Sequence, residues 1–139
     1  MPAPTATAAP SLRAHDRRPT GGLALAAGTT LVPAGHAGRR VIAKFFRTLG
    51  DPNRLLLLEF LLAGERTVTD CVEHVGLAQS RVSTHLTCLA DCGYVSARRD
   101  GRFTRYQVTD PRVVELVTLA RALAADNAAA LAACTRIDA

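Results

Sequence analysis

Two cysteines four residues apart are the chemically most suggestive feature of this sequence. Cys88 and Cys92 bound the segment Cys-Leu-Ala-Asp-Cys, and a helix would bring both thiols to the same side, one turn apart. Two thiols at that spacing can chelate one soft metal ion. Free cysteines also pack well as small apolar residues in a core. Spacing alone therefore leaves a metal site and a packing role both open.

The two remaining cysteines differ in their surroundings. Cys134 lies in an Ala-rich C-terminal stretch that offers no packing reason for a cysteine, whereas the spacing of Cys71 to Val75 predicts a core position. Without a convincing export signal, four cysteines indicate free thiols in a cytoplasmic protein. No segment reaches the roughly 18 apolar residues of a membrane helix. There is also no Cys-x-x-Cys motif and no nucleophile–base–acid set, so we expect neither a membrane partner nor an enzyme.

The basic residues suggest a partner. The net charge is +5, with 17 basic residues against 12 acidic ones, and every basic residue except Lys44 is an arginine. The arginine fork binds phosphates and guanine edges in a bidentate manner, which suits nucleic acid. A GC-rich genome would produce the same bias. Four arginines fall within eight residues around the dipeptide Asp100-Gly101: Arg98, Arg99, Arg102 and Arg105.

The chain divides into an arm and one domain. Residues 1–37 are rich in Ala, Pro, Thr and Gly without sustained periodicity, which predicts a flexible N-terminal arm. Residues 38–139 are predicted to form one domain. Apolar periodicity and capping residues predict its helices: one ending at Gly50, then Pro52–Leu62, then Thr67 or Thr69 to Val75, then Gln79–Cys92, and a last helix from Pro111 toward Leu131.

The order of these elements predicts the fold class. The third and fourth helices are joined by a short turn after Gly76, which is the helix-turn-helix pattern. Two strand-like segments, Tyr94–Arg99 and Arg102–Val108, flank Asp100-Gly101, a strong hairpin signal. We therefore predict a mainly α winged helix-turn-helix protein with a β-hairpin wing. Its last helix is apolar on more than one side, which predicts a homodimer.

The fourth helix has the pattern of a recognition helix. Val82, Leu86 and Leu89 fall on one side and are predicted to face the core, while short polar side chains lie opposite. Such side chains can enter a major groove, and wing arginines can neutralise phosphates. The residues predicted to bind double-stranded operator DNA are Gln79, Ser80, Arg81, Ser83 and Thr84 of the helix, and Arg98, Arg99, Arg102 and Arg105 of the wing.

Three segments together resemble the ArsR/SmtB family of metal-sensing transcriptional repressors, over about residues 38–125. They are Asp51-Pro52-Asn53-Arg54, the stretch from Leu77 to Leu86, and the stretch from Asp100 to Tyr106. The resemblance implies an apo dimer that represses by binding its operator and releases it when metal binds. Residues 38–139 are then expected to be a winged helix-turn-helix DNA-binding and dimerisation domain with a C-terminal sensing tail. The Cys-x-Cys pair of some members would fall at Thr67 and Thr69 and is absent. The His-rich zinc site of others is also absent, because no histidine follows His85.

The arrangement of the cysteines is most similar to that of the cadmium- and lead-sensing members of this family. The mercury-responsive actinobacterial members are the second comparison. This resemblance implies that Cys88, Cys92 and Cys134 bind a soft heavy-metal effector, Cd(II), Pb(II) or Hg(II), with no organic cofactor. Zinc would require a fourth ligand, which His85 could supply, although a core or phosphate-contacting role is favoured for it. An As(III)- or redox-responsive repressor with the same cysteines is the alternative. Either subunit of the dimer could supply Cys134.

Overall fold

The computed structural model describes residues 25–137, which contain six helices and a three-stranded antiparallel sheet of strand order β1-β3-β2. Residues 1–24 of the predicted arm lie outside this range, and the first helix already begins at His36. The elements are α1 (His36–Leu49), α2 (Pro52–Leu62), β1 (Arg66–Thr67), α3 (Val68–Val75), α4 (Gln79–Asp91), β2 (Ser96–Asp100), β3 (Phe103–Gln107), α5 (Pro111–Asp126) and α6 (Ala128–Ala133).

Capping residues set the bounds of α2 and α3 as predicted. The Asp51 carboxylate accepts hydrogen bonds from the backbone N–H groups of Asn53 and Arg54 at the start of α2. Thr67, one of the two predicted candidates, caps α3 in a capping box with Asp70. Gly76 ends α3 with a φ of 74°, a left-handed conformation that glycine adopts without steric cost.

The core confirms the predicted inner face of α4. Val82, Leu86 and Leu89 are fully buried and belong to the same apolar cluster as Leu57 and Leu58 of α2. Burying each such leucine stabilises the fold by roughly 1.5–3 kcal/mol, so α4 is held firmly by its inner side. The polar side of the helix is therefore presented to the surface at a fixed orientation.

The wing differs in detail from its prediction. Asp100 pairs with Phe103, so the two-residue loop is Gly101-Arg102 rather than Asp100-Gly101. Only Gly101 has a positive φ, 58°, which is the pattern of a type II′ turn with glycine at its first central position. The first wing strand begins at Ser96 rather than at the predicted Tyr94, which precedes the strand and is buried in the core. The short strand β1, which pairs with β3, was not predicted.

The C-terminal helices lie mostly outside the core. The predicted continuous helix is interrupted at Asn127, whose side-chain amide donates to the Leu123 carbonyl at 2.8 Å. Val113 and Val117 are the buried residues of α5, whereas residues 118–133 are all exposed. Leu119, Leu123 and Leu131 have exposed fractions of 46%, 56% and 50%. No helix within residues 25–137 is long and apolar enough to cross a membrane.

Candidate DNA interface and cysteine cleft

The predicted DNA-reading residues lie on the outer side of α4. Gln79, Ser80, Arg81 and Thr84 are exposed, and Ser83 is half-buried. The N-cap position is occupied by Ala78, whose methyl side chain cannot accept a hydrogen bond. The backbone N–H groups at the start of α4 therefore have no side-chain acceptor, and the helix dipole favours a phosphate there. This end of the helix can bind DNA through both its backbone and its side chains.

The four wing arginines are not equivalent. Arg98 binds Glu65 at 2.7 Å and Arg105 binds Asp100 at 2.8 Å. Arg99 and Arg102 are exposed and form no ion pair with any residue of the range 25–137. Exposed ion pairs stabilise a protein by only about 0–1 kcal/mol, so Arg98 and Arg105 can also turn toward DNA. Arg99 and Arg102 can nevertheless bind a phosphate without first breaking an ion pair.

Cys88 and Cys92 share one cleft between α1 and α4. The cleft has a volume of about 890 Å³, and both cysteines are half-buried in its wall. We call it the cysteine cleft; it is lined by Val41, Lys44 and Phe45 of α1, by Ser83, Thr84, Thr87, Cys88 and Asp91 of α4, and by Cys92 directly after α4. The predicted pair of thiols and two of the predicted DNA-reading residues therefore lie in the same cleft.

Interactions with α1 hold the C-terminal end of α4, where Cys92 is the C-cap residue. The buried Thr48 hydroxyl lies 3.2 Å from the Cys92 Sγ and 3.3 Å from the Lys44 carbonyl oxygen, and its one proton can go to either. The Tyr94 hydroxyl donates to the Phe45 carbonyl at 2.7 Å, and the two rings stack at 4.4 Å. Thr48 and Tyr94 thus fix the position of Cys92 relative to α1.

Arg54 joins the same region to the middle of α4. Its Nε donates to the Thr48 carbonyl, and its Nη1 lies 3.4 Å from the His85 Nδ1. A guanidinium has no acceptor atoms, so the His85 Nδ1 accepts in this contact. His85 also lies beside Ser80 and Thr84 at the surface. His85 is half-buried there, so both the core role and the phosphate-contacting role that the sequence favoured stay predictions.

The structure separates the other two cysteines from this cleft. Cys134 caps the end of α6 and lines another groove with Leu123 and Leu131. Within residues 25–137 of one chain, no three His, Cys, Asp or Glu side chains are grouped so as to hold a metal ion. Cys71 is fully buried, as predicted, and burial together with the nearby Asp70 raises the pKa of its thiol to about 11.

Sequence reasoning did not identify Thr48 or Arg54 as part of this region. In the sequence, Arg54 is noticeable only as part of the segment Asp51-Pro52-Asn53-Arg54 that resembles the ArsR/SmtB family. Thr48 is a single threonine at the end of an apolar helix, and no motif or spacing marks it. Their interactions with Cys92 and His85 span 44 and 31 residues along the chain. Such non-local interactions are defined by the packing of α1 and α2 against α4 rather than by any local spacing.

A recognition helix packed on a helical core and followed by an antiparallel basic hairpin defines a DNA-binding protein of the winged helix-turn-helix class. The sequence profile described as "Bacterial regulatory protein, arsR family" matches residues 51–97, from the cap of α2 into the wing. A probable mercury resistance operon repressor of Streptomyces lividans is 64% identical over 109 residues, which are 78% of this chain and 86% of the relative. The chain belongs to the ArsR family of bacterial transcriptional regulators.

Two further similarities agree with this assignment. The HTH-type transcriptional regulator CmtR of Mycobacterium bovis is 38% identical over 90 residues, which are 62% of this chain and 76% of the relative. The homodimeric winged helix-turn-helix DNA-binding domain Mb0332 of Mycobacterium bovis has a TM-score of 0.60 at 29% identity and covers 68% of this chain and 92% of its own. The predicted family and fold class are confirmed, as is the prediction of a regulator rather than an enzyme.

Proposed function

We propose that this chain is a homodimeric repressor that binds operator DNA without metal and releases it when a soft metal ion binds Cys88 and Cys92. The observation that carries the proposal is the cysteine cleft, whose wall contains both cysteines together with Ser83 and Thr84 of the recognition helix. Thiolate ligands select soft ions such as Hg(II), Cd(II) and Pb(II). Hg(II) is the first candidate, because the Streptomyces lividans relative is a probable mercury resistance operon repressor.

Dimerisation is supported by two apolar surfaces that one chain leaves exposed. Val41, Ile42 and Phe46 of α1 are exposed by 55%, 43% and 55%, and the outer sides of α5 and α6 are exposed as described above. Contiguous apolar surface of this kind marks an interaction site. A second copy of the chain is the proposed occupant, since the similar Mb0332 domain is homodimeric.

Cys134 is proposed as the third thiolate. One chain does not bring it to the cysteine cleft, and it lies in a groove with Leu123 and Leu131 on the proposed dimer surface. We therefore propose that Cys134 of the partner subunit completes the site. A ligand supplied across the interface would make the geometry of the dimer, and with it the spacing of the two recognition helices, depend on metal.

The coupling between metal and DNA follows from the position of Cys92. A metal–thiolate bond at Cys92 would draw its sulfur, which accepts a hydrogen bond from Thr48, toward the metal ion and so change how the end of α4 is held against α1. Coupling free energies between two sites are typically about 1–3 kcal/mol, or roughly 5- to 150-fold in affinity. By linkage, bound operator must weaken metal binding by the same factor.

The experiment is a titration of fluorescent operator DNA with the full chain in the presence of Hg(II), Cd(II), Pb(II) or As(III) salts. The wild type should release DNA at stoichiometric metal, while Cys88→Ser and Cys92→Ser should bind DNA normally and ignore metal. Cys71→Ser is the matched control, because it removes a thiol outside the cleft. A metal response that survives in Cys88→Ser but is lost in Cys71→Ser would place the site elsewhere.

The redox alternative uses the same cysteines without metal. It predicts that mild oxidation releases operator and consumes two thiols, whereas a panel of metal salts has no effect. Thiol titration before and after oxidation therefore separates the two functions.

A further inference from the structure

Helix α1 carries a second basic surface, outside the segment that the family profile matches. Arg40, Lys44 and Arg47 are spaced by four and three residues, so they lie on one side of the helix. All three are exposed, and α1 contains no acidic residue. Within residues 25–137 none of the three pairs with a carboxylate. We call these residues the α1 stripe.

The α1 stripe is continuous with the outer side of the recognition helix. Lys44 lines the cysteine cleft together with Ser83 and Thr84 of α4. Arg40 and Arg47 line an adjoining groove of about 290 Å³ that shares Lys44 with the cleft. The three cations therefore extend the surface through which α4 is proposed to bind DNA, rather than forming an isolated charged patch.

The spacing of the charges fits a polyanion. From Arg40 to Arg47 the helix rises about 10 Å, at roughly 1.5 Å per residue. One DNA strand carries a phosphate about every 3.4 Å along the duplex axis, so a stripe that runs parallel to this axis spans the rise of about three phosphates. Cations without a protein partner bind phosphates most favourably, because no internal ion pair has to be broken.

We propose that the α1 stripe binds the DNA phosphate backbone beside the groove that α4 enters. This inference deepens the proposed function and rests on it. The stripe supplies affinity without reading sequence, because phosphate contacts position a protein on DNA but do not identify bases. Arg40, Lys44 and Arg47 thus join Arg99 and Arg102 as the cations that determine how strongly binding depends on salt.

The test replaces all three cations by Gln, which keeps most of the side-chain length and the helix propensity. Arg40→Gln/Lys44→Gln/Arg47→Gln should weaken binding to an operator duplex and to a non-operator duplex of equal length by the same factor. The slope of log affinity against log salt should fall by about 0.9 for each phosphate that is no longer neutralised, or up to about three units per subunit. The control is Arg39→Gln, an exposed arginine of the same helix about 100° away from the stripe, whose slope should equal that of the wild type.

Circular dichroism and sedimentation establish that both variants are folded and equally dimeric. A triple variant with the same salt slope as Arg39→Gln would overturn the proposal and leave the stripe as a solvated surface. Weakening confined to the operator duplex would overturn it as well, because phosphate binding acts on all sequences. Failure of metal to release the wild type would refute the proposed function, whereas the slopes on non-operator DNA would still decide the role of the stripe.

Discussion

The unequal pairing of the wing arginines gives a quantitative prediction. Arg99 and Arg102 have no ion-pair partner within residues 25–137, whereas Arg98 is bound to Glu65 at 2.7 Å. Each neutralised phosphate contributes about 0.9 to the slope of log affinity against log salt. Two phosphates in each of two subunits correspond to about 3.6 units, so Arg99→Ala/Arg102→Ala should flatten the slope of operator binding by up to that amount.

The matched control removes an ion pair and leaves the net charge unchanged. Arg98→Ala/Glu65→Ala deletes one cation together with its carboxylate, and its slope should change by less than half as much. Fluorescence anisotropy with an operator duplex between low and physiological salt measures both slopes. If Arg99→Ala/Arg102→Ala has the same slope as the wild type, these two arginines do not contact DNA. If both variants change the slope equally, the distinction between paired and unpaired arginines is refuted.

Three further predictions concern stability, reactivity and assembly. Leu86→Ala should destabilise the protein by about 2–5 kcal/mol in urea unfolding, because it leaves a cavity beneath the recognition helix; a decrease below about 1 kcal/mol would contradict its full burial. At pH 8 an alkylating reagent should modify Cys88 well before the buried Cys71. Burial raises the pKa of the Cys71 thiol from 9.0 to about 11. The free energy of unfolding should therefore fall as the pH rises from about 9 to about 11, because the Cys71 thiol ionises in the unfolded chain before it ionises in the folded one. Leu119→Asp/Leu123→Asp should shift sedimentation to a monomer, and an intact dimer would place the interface elsewhere.

Much of the fold was predictable because the capping residues and the apolar spacing that define its helices act over a few neighbouring residues. Asp51-Pro52, Thr67 and Gly76 act within their own helix ends, and the inner face of α4 follows from the spacing of its apolar residues. The loop of the wing was misplaced by one residue because both Asp100-Gly101 and Gly101-Arg102 satisfy a glycine-containing two-residue turn, and strand pairing decides between them. β1 escaped prediction because two residues carry no periodicity.

The candidate site was predictable only in part, because only some of its interactions depend on residues that are close in sequence. The spacing of Cys88 and Cys92 places both on one side of a helix, and the structure adds the cleft in which they lie. The interactions of Thr48 and Arg54 depend on helices that are distant in sequence, so no spacing rule could reveal them. Under the proposed function, Cys134 reaches the metal site only across an interface between two chains, and neither a sequence pattern nor a single chain defines such an interface.

The exposed second half of α5 has a consequence for the amount of regulator that a cell must keep. Residues 118–133 bury little surface within their own chain, and short helices without packing are marginal in water. Their helical order should therefore arise largely on association, which makes the melting temperature rise with protein concentration. Below the dissociation constant of the dimer, the chain would lose operator binding and its C-terminal helices together, so that dilution alone would act as an inducer.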